Sequence, residues 1–584
     1  MNRRTFLQGV GAAASAGIGL AGCATIPTTP TGAAPDLGAG MRVDPTRLAH
    51  RNQNRSTVAC TGGIACTSQP LASLAAADVL REGGNAVDAA IAANALLSLV
   101  EPMNCGPGGD LFAIVWIEAD RKLYALNASG RSPHAWNLDE ARKHDLTRIP
   151  PYSPLSWTVP GCVSGWQALH ERFGSRPPAR LFAPTIEYAR NGFPVSPIIA
   201  RDWGRMKPDE FPSLATAFAP GGKPPAFGNI YASPDLANFY EILLRDGLAA
   251  FYQGEIAERI VRFSEAQGGY FARRDFADHQ ATWVEPVSTS YRGYDVWEIP
   301  PNGQGISVLQ MLNMLEHFDV AALEPNSPAH LHLFLEAKKL AFEDRAVYYA
   351  DMDRADVPLE WLISKEYGAQ RAQLIHPRRA SKRVAPGEFD ASDTIYLTTA
   401  DASGNMVSLI QSTYYGWGSH LVPDGLGFPL QNRGCAFALD PNHRNRLESH
   451  KRPFHTIIPA FVTRQGAPVF SFGVMGGAFQ PQGHTQLLMN LIDFRMSPQQ
   501  AGEQPRIEHN GSSDPDGTRI EKSGTVKAER HIPEKTLAAL RRRGHDVTED
   551  IGAFGGYQGI WREENPRRYF GGTDPRKDGC AIGY

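Results

Sequence analysis

Apolar and polar positions follow two periods along this chain. From Leu71 to Val100 the spacing is helical. Leu71, Leu74, Ala75 and Val79 fall near one face, and Gly83-Gly84-Asn85 interrupts the run. Ala86-Val87-Asp88-Ala89-Ala90-Ile91 opens a second, almost wholly apolar helix whose small residues suit close packing in a core. The turn Cys105 to Asp110 leads into an apolar strand, Leu111 to Trp116, and Leu123 to Asn127 reads as another. Helical patterns and loops alternate from Arg180 to Asp278. Trp283 to Ile299 reads as two short strands around Tyr291-Arg292-Gly293. An apolar helix spans Ile306 to Leu315, and a long one spans His330 to Tyr349, with Leu333, Ala337, Leu340 and Ala341 toward a core. Ser364 to Asp393 is polar and basic, with Pro377, Pro386 and Gly387. It reads as an exposed, mobile linker and the natural place for a chain break.

Beyond the linker the chain is strand-rich. In Thr394 to Ala400, Ile395 and Leu397 face one way and Tyr396 and Thr398 the other. Asp401 to Asn405 turns this strand into a second, Met406 to Ser412, giving a hairpin. Val469 to Gly473 is a further strand. Helices are expected at Thr485 to Phe494, from Pro498, and at Leu537 to Arg543.

The chain has 584 residues, is 42% hydrophobic and 20% charged, and carries a net charge of −3. A large globular core is expected and disorder is not. No basic excess or stripe points to a nucleic-acid partner. The first residues read as an address. Arg3-Arg4-Thr5-Phe6-Leu7 is a twin-arginine export pattern, and Leu20-Ala21-Gly22-Cys23 resembles a lipoprotein cleavage box. The expected layout is a signal over 1–22, a lipid-carrying Cys23 that opens a Pro/Thr/Gly-rich tether over 23–54, and a periplasmic protein that meets the membrane through its anchor alone. The competing reading is a plain secretory signal with a chance cysteine. Six further cysteines lack metal spacing, and mostly buried free thiols are expected.

Several chemistries find no support. The Gly106-Pro107-Gly108-Gly109 turn has no Gly-Lys-Ser/Thr ending and no helix after it, so it is a structural turn and not a phosphate loop. His330 and His332 lie in no carboxylate-containing zinc motif, so no metal is expected. No Gly-x-Ser-x-Gly elbow or dinucleotide fingerprint is present, and no cofactor is expected. One possibility remains. If the chain were cut before Thr394, that residue would carry a hydroxyl nucleophile and, on the same residue, an amine able to act as its base.

The run Asp393-Thr394 through Asp401-Ala402-Ser403-Gly404-Asn405-Met406-Val407-Ser408 resembles the small-subunit start of the gamma-glutamyltransferase family. Gly83 to Ala90, the Gly106 to Gly109 turn, Pro160-Gly161, Glu336 to Arg345 with Asp351, Lys451-Arg452-Pro453 and Gly476-Gly477 agree in order and spacing. The resemblance runs from about Val58 to the C-terminus. It implies a four-layer αββα sandwich of the N-terminal-nucleophile hydrolase type. It implies a precursor that cuts itself between Asp393 and Thr394, leaving a large part (55–393 after the tether) bound to a small part (394–584). It implies Thr394 as nucleophile, the N–H groups of Gly476 and Gly477 as oxyanion hole, Ser412 as a second hydroxyl, and Arg131 as holder of a substrate carboxylate. By local sequence alone Arg131 is a surface arginine. The substrate would be glutathione or another γ-glutamyl amide.

This chain departs from the family pattern where the substrate is read. It has Thr394-Ile395-Tyr396 where many members have Thr-Thr-His. It has His455-Thr456 in place of two serines, and Asn432-Arg433 followed by Cys435-Ala436 in place of Asn-Gln and an acid. The acid that would face a substrate ammonium is missing, and a cation lies nearby. A dicarboxylic-acyl, cephalosporin-acylase-like or oxamate-like amide therefore stands as an alternative substrate. A processing-deficient lipoprotein that uses the fold only for binding is the rival of another class.

Overall fold

In the computed structural model the residues described are 55–381, 392–519, 523–550, 552 and 554–584. The expected signal, tether and lipidated Cys23 lie outside them. Two seven-stranded sheets form the centre. The first runs Cys580–Gly583, Ile64–Thr67, Ser392–Ala400, Met406–Tyr415, Asp110–Ile117, Lys122–Ala128, Thr282–Val284. The second runs Val58–Cys60, Arg568–Thr573, Gly556–Glu563, Ala467–Met475, Ala460–Arg464, Tyr294–Glu298, Val287–Tyr291. All pairings within both sheets are antiparallel.

The side-chain period of two explains the layers. In the threonine strand, Ser392–Ala400, Ile395 and Leu397 pack into the core under the helices Pro70–Arg81 and Ala86–Val100. Tyr396 points the other way, into an apolar slab with Phe112, Ile114, Phe461 and Ile560 between the two sheets. The far face of the second sheet, with Phe470, Phe472 and Val474, packs on the helices Ile306–Leu315, Pro328–Tyr348 and Gln480–Leu488. The result is the αββα sandwich.

Local chemistry holds the frame. Helix Ala86–Val100 is buried along its whole length, as its all-round apolar sequence requires. Asn85 and Asp88 close a capping box at its start. The carboxylate of Asp401 in the hairpin turn accepts from Gly404 and Asn405 N–H through one oxygen and from Ala86 N–H through the other. That turn therefore also caps the buried helix.

The linker expectation needs correction over residues 365–372, while 382–391 lie outside the described residues. Lys365–Ala372 is a helix, capped by the Ser364 hydroxyl accepting from Tyr367 N–H at 3.1 Å, with Tyr367 and Ala372 buried. Its sequence is too short and polar to announce itself, and packing on helix Ile306–Leu315 supplies what periodicity did not. The six cysteines of the described residues are all free thiols, four of them buried, as expected. No helix among the described residues is long and apolar enough to cross a membrane.

Candidate active site

Thr394 sits at an irregularity of the hairpin. Asp393 pairs with Tyr414 but Ile395 pairs with Gln411, so Thr394 faces two residues, Ser412 and Thr413. This is a β-bulge, a device that re-aims one side chain. Tyr414 takes φ of 84° to accommodate it. The Thr394 side chain is buried, 1% exposed. Its hydroxyl donates to Ser412 Oγ at 3.3 Å, and Ser412 Oγ also accepts from Tyr414 N–H at 2.8 Å. Gln480 Nε2 reaches Thr394 Oγ1 at 3.5 Å. The Gln480 amide is oriented because its Oε1 accepts from Ile458 N–H at 2.9 Å.

The glycine pair ends the strand Ala467–Met475 and turns into a short 3-10 segment, Gly477–Phe479, packed against the threonine strand. Gly476 and Gly477 have φ of 117° and 54°, a region that a Cβ disfavours. The turn is braced from below. Gln304 Nε2 donates to Gly477 O at 2.8 Å and to Thr456 O at 2.7 Å, while Gln304 Oε1 accepts from Arg345 Nη1 at 2.8 Å. Backbone N–H groups on a braced, left-handed turn beside a hydroxyl suit stabilisation of an oxyanion.

Arg433 is fully buried. It donates to Thr456 Oγ1 at 2.7 Å and lies 3.9 Å above the Tyr414 ring. Its Nε and Nη2 have no hydrogen-bond partner among the described residues. Burial pushes its pKa down to about 10, which still leaves it charged at neutral pH. Asn432 accepts from Tyr415 N–H at 3.2 Å, and its Nδ2 is unpartnered among the described residues. His455 is neutral, held there by burial and by the nearby arginines, and its Nε2 meets Asp110 Oδ2 at 3.0 Å. Tyr414, Tyr415, Ala436, Thr456 and Ala478 line a narrow cleft of about 10 Å³, with Asp514 and Asp516 on its wall. A larger cavity of about 500 Å³ beside Ser164, Tyr252 and His279 includes none of these residues.

The fold thus gathers Thr394, Ser412, Gly476, Gly477, Asn432, Arg433, His455 and Thr456. Arg131 stands apart: its guanidinium pairs with the exposed Asp353 at 3.0 Å. Three contributors escaped the sequence reading. Gln480 was signalled only by its place at the start of the helix after the glycine turn. Gln304 and Asp110 carried no signal of their own, since their partners are remote in the chain.

Among the described residues one other cluster has donor atoms close enough to surround a cation: His332, Glu336 and His545, within 4.8 Å. Its charge is already balanced. Lys339 Nζ donates to Glu336 Oε1 at 2.8 Å, and Ser381 N–H and hydroxyl donate to Oε2. The two imidazoles hydrogen-bond each other at 2.8 Å, and burial holds both neutral. A dication there would leave buried positive charge uncompensated. The cluster is better described as a lock that pins the chain at Ser381.

Comparison with known proteins agrees with this geometry. A sequence model described as gamma-glutamyltranspeptidase matches residues 72–584. The chain is 36% identical over 517 residues to the glutathione hydrolase-like YwrD proenzyme of Bacillus subtilis (strain 168), covering 88% of this chain and 97% of that one. It is 32% identical over 528 residues to the acylase ACY 1 proenzyme of Pseudomonas sp. (strain SE83), covering 88% and 92%. The crystal structure of cephalosporin acylase from Bacillus halodurans superposes with a TM-score of 0.83 at 39% identity, covering 91% and 97%. Fold and matches together define an enzyme of the N-terminal-nucleophile hydrolase class. The chain belongs to the gamma-glutamyltranspeptidase family.

Proposed function

We propose that this protein is a self-processing amide hydrolase whose nucleophile is Thr394, and that it acts on amides of a carboxylate-bearing acyl group. The observation that carries the first half is the Thr394 hydroxyl, buried at a bulge, held by Ser412 and Gln480 and beside the braced Gly476-Gly477 turn. In the continuous chain Thr394 N is a peptide nitrogen and cannot act as a base. Attack of Thr394 Oγ on the Asp393 carbonyl forms a C–O bond and breaks the C–N bond, and the hydroxyl proton passes to the freed amine. Water then opens the ester, leaving an Asp393 carboxylate and a Thr394 with free amine and hydroxyl. That amine, with a reference pKa of roughly 8, takes the hydroxyl proton during attack on a substrate amide and returns it to the leaving amine. Water, or an acceptor amine, resolves the acyl ester.

The second half rests on Arg433 and Ala436. A buried guanidinium with two nitrogens unpartnered among the described residues suits a carboxylate, and Ala436 offers no charge to a substrate ammonium. A glutaryl-like acyl group fits both facts. A γ-glutamyl amide such as glutathione is the second reading, favoured by Asp514 and Asp516 on the cleft wall, either of which could face an ammonium.

A denaturing gel tests the chemistry. Wild-type protein should run as two fragments, the smaller beginning at Thr394 by terminal sequencing, and Thr394→Ala as one. A single band from both would sink the proposal and favour a module that only binds.

A further inference from the structure

The strand Asp110–Ile117 opens on a carboxylate that the chemistry above does not use. Asp110 is wholly buried. Its Oδ1 accepts from Gly130 N–H at 3.0 Å, Gly161 N–H at 3.1 Å and Gln431 Nε2 at 2.8 Å. Its Oδ2 accepts from His455 Nε2 at 3.0 Å. The tautomer of His455 is fixed, because its Nδ1 accepts from Ile457 N–H at 3.3 Å and the proton therefore sits on Nε2. The four donors arrive on four separate loops, two from each side of the Asp393–Thr394 junction. Two are chain neighbours of candidate substrate contacts: Gln431 lies two residues before Arg433, and His455 precedes Thr456. In the ladder Asp110 stands opposite Ser412, the partner of Thr394. Only a carboxylate offers enough lone pairs to gather four N–H groups at one point.

We propose that Asp110 is the positioning residue of the acyl-binding wall: it ties the loops carrying Arg433 and Thr456 to one point beside Ser412, and so sets the preference for a carboxylate-bearing acyl group. The proposal rests on the Thr394 reading for where the acyl group sits. The nearby charge of Arg433 supports it, since that charge offsets part of the burial penalty on the Asp110 carboxylate. Asparagine at 110 would keep one acceptor but present an NH2 to the His455 Nε2–H. Moving the imidazole proton to Nδ1 would then set N–H against the N–H of Ile457.

The test compares wild type, Asp110→Asn and Gln431→Met, each after processing, on glutaryl- and butyryl-p-nitroanilide. The two substrates differ in the terminal carboxylate. In Asp110→Asn the glutaryl KM should rise about tenfold, more than kcat falls, and the glutaryl-to-butyryl selectivity should drop by about the same factor, the loss expected for one misplaced charge-assisted contact. Gln431→Met removes a single donor and should shift KM in the same direction by a smaller factor, which keeps the test decisive if Asp110→Asn fails to fold. A pH profile separates positioning from general weakening. Burial holds Asp110 up at about 7. The groups around it are His455, which is neutral, Arg433 and Arg452, which are charged, and Cys162 and Tyr252, whose pKa values are raised far above neutrality. Wild-type glutaryl KM should therefore rise as pH falls through about 7, as the carboxylate loses acceptor capacity, and the Asn variant should lack this inflection. Wild-type KM and selectivity in both variants would overturn the proposal. If wild type hydrolyses neither anilide, the acyl-group reading fails separately, while Thr394 stands or falls by the processing gel. Glutarate-induced thermal shift then decides: loss of the shift in Asp110→Asn supports positioning, and an equal shift refutes it.

Discussion

At the scale of single residues, the reacting end and the recognising end of this site carry different constraints. In the proposed mechanism Thr394, Gly476 and Gly477 are set by chemistry and backbone geometry, and the family resemblance already pointed to them in the linear chain. Arg433 is set by what it must meet. Its buried guanidinium keeps Nε and Nη2 unpartnered among the described residues, and in the proposed reading a substrate carboxylate supplies the missing acceptors. Wild type should therefore hydrolyse glutaryl anilide in preference to γ-glutamyl anilide. Arg433→Met should reduce kcat/KM for the glutaryl compound by about a hundredfold, since hydrogen bonds to a charged group contribute about 1.5–3 kcal/mol. Clear preference of wild type for the γ-glutamyl anilide would transfer support to the second reading. Asp110 and Gln304 were not legible beforehand. Asp110 meets Gln431 across 321 positions and His455 across 345, and nothing in a buried polar residue's own neighbourhood names a partner that far away.

At the scale of elements, apolar spacing located most helices and strands but not their pairing. The threonine strand has Ile64–Thr67 on one side and Met406–Tyr415 on the other; only the hairpin half of that was readable. The unusual Tyr396 finds its reason here. Its ring enters the slab between the sheets, its hydroxyl bonds Ser408 Oγ at 2.8 Å, and its face lies against Gly473 of the opposing sheet. A Cβ on Gly473 would stand 2.4 Å from that ring. Gly473→Ala should therefore destabilise the protein by about 1–3 kcal/mol through overpacking, seen as a lower melting temperature and slower processing. An unchanged melt would show that the sheets separate there at little cost. The polar stretch after Ser364 was misread for the opposite reason: its helix is stabilised by a cap and by two buried side chains, Tyr367 and Ala372, too few to leave a periodic trace.

At the scale of the whole molecule, the two parts on either side of the junction cannot be drawn as separate domains. Val58–Cys60 pairs with Arg568–Thr573, Asp110–Ile117 with Met406–Tyr415, and Tyr294–Glu298 with Ala460–Arg464, so each sheet is completed by strands from both. Cleavage at Asp393–Thr394 removes one covalent bond and none of these ladders. The two fragments should therefore co-elute as one species on size exclusion under native conditions and separate only in denaturant. Dissociation in native buffer would contradict this reading of the sheets.

The sequence by itself, through its resemblance to the family, pointed to the kind of chemistry. A hydroxyl nucleophile at a prospective chain terminus, a glycine pair and a hairpin are local features, and local features survive in a linear reading. It also showed the departures at Arg433 and Ala436 on which the proposed specificity rests. Only the tertiary structure decided how the site is assembled: the bulge that aims Thr394, the Gln304 brace under the glycine turn, and the Asp110 carboxylate that draws four loops together. Each of these depends on buried polar groups finding partners across the fold, and burial far from sequence neighbours is what a linear pattern does not record.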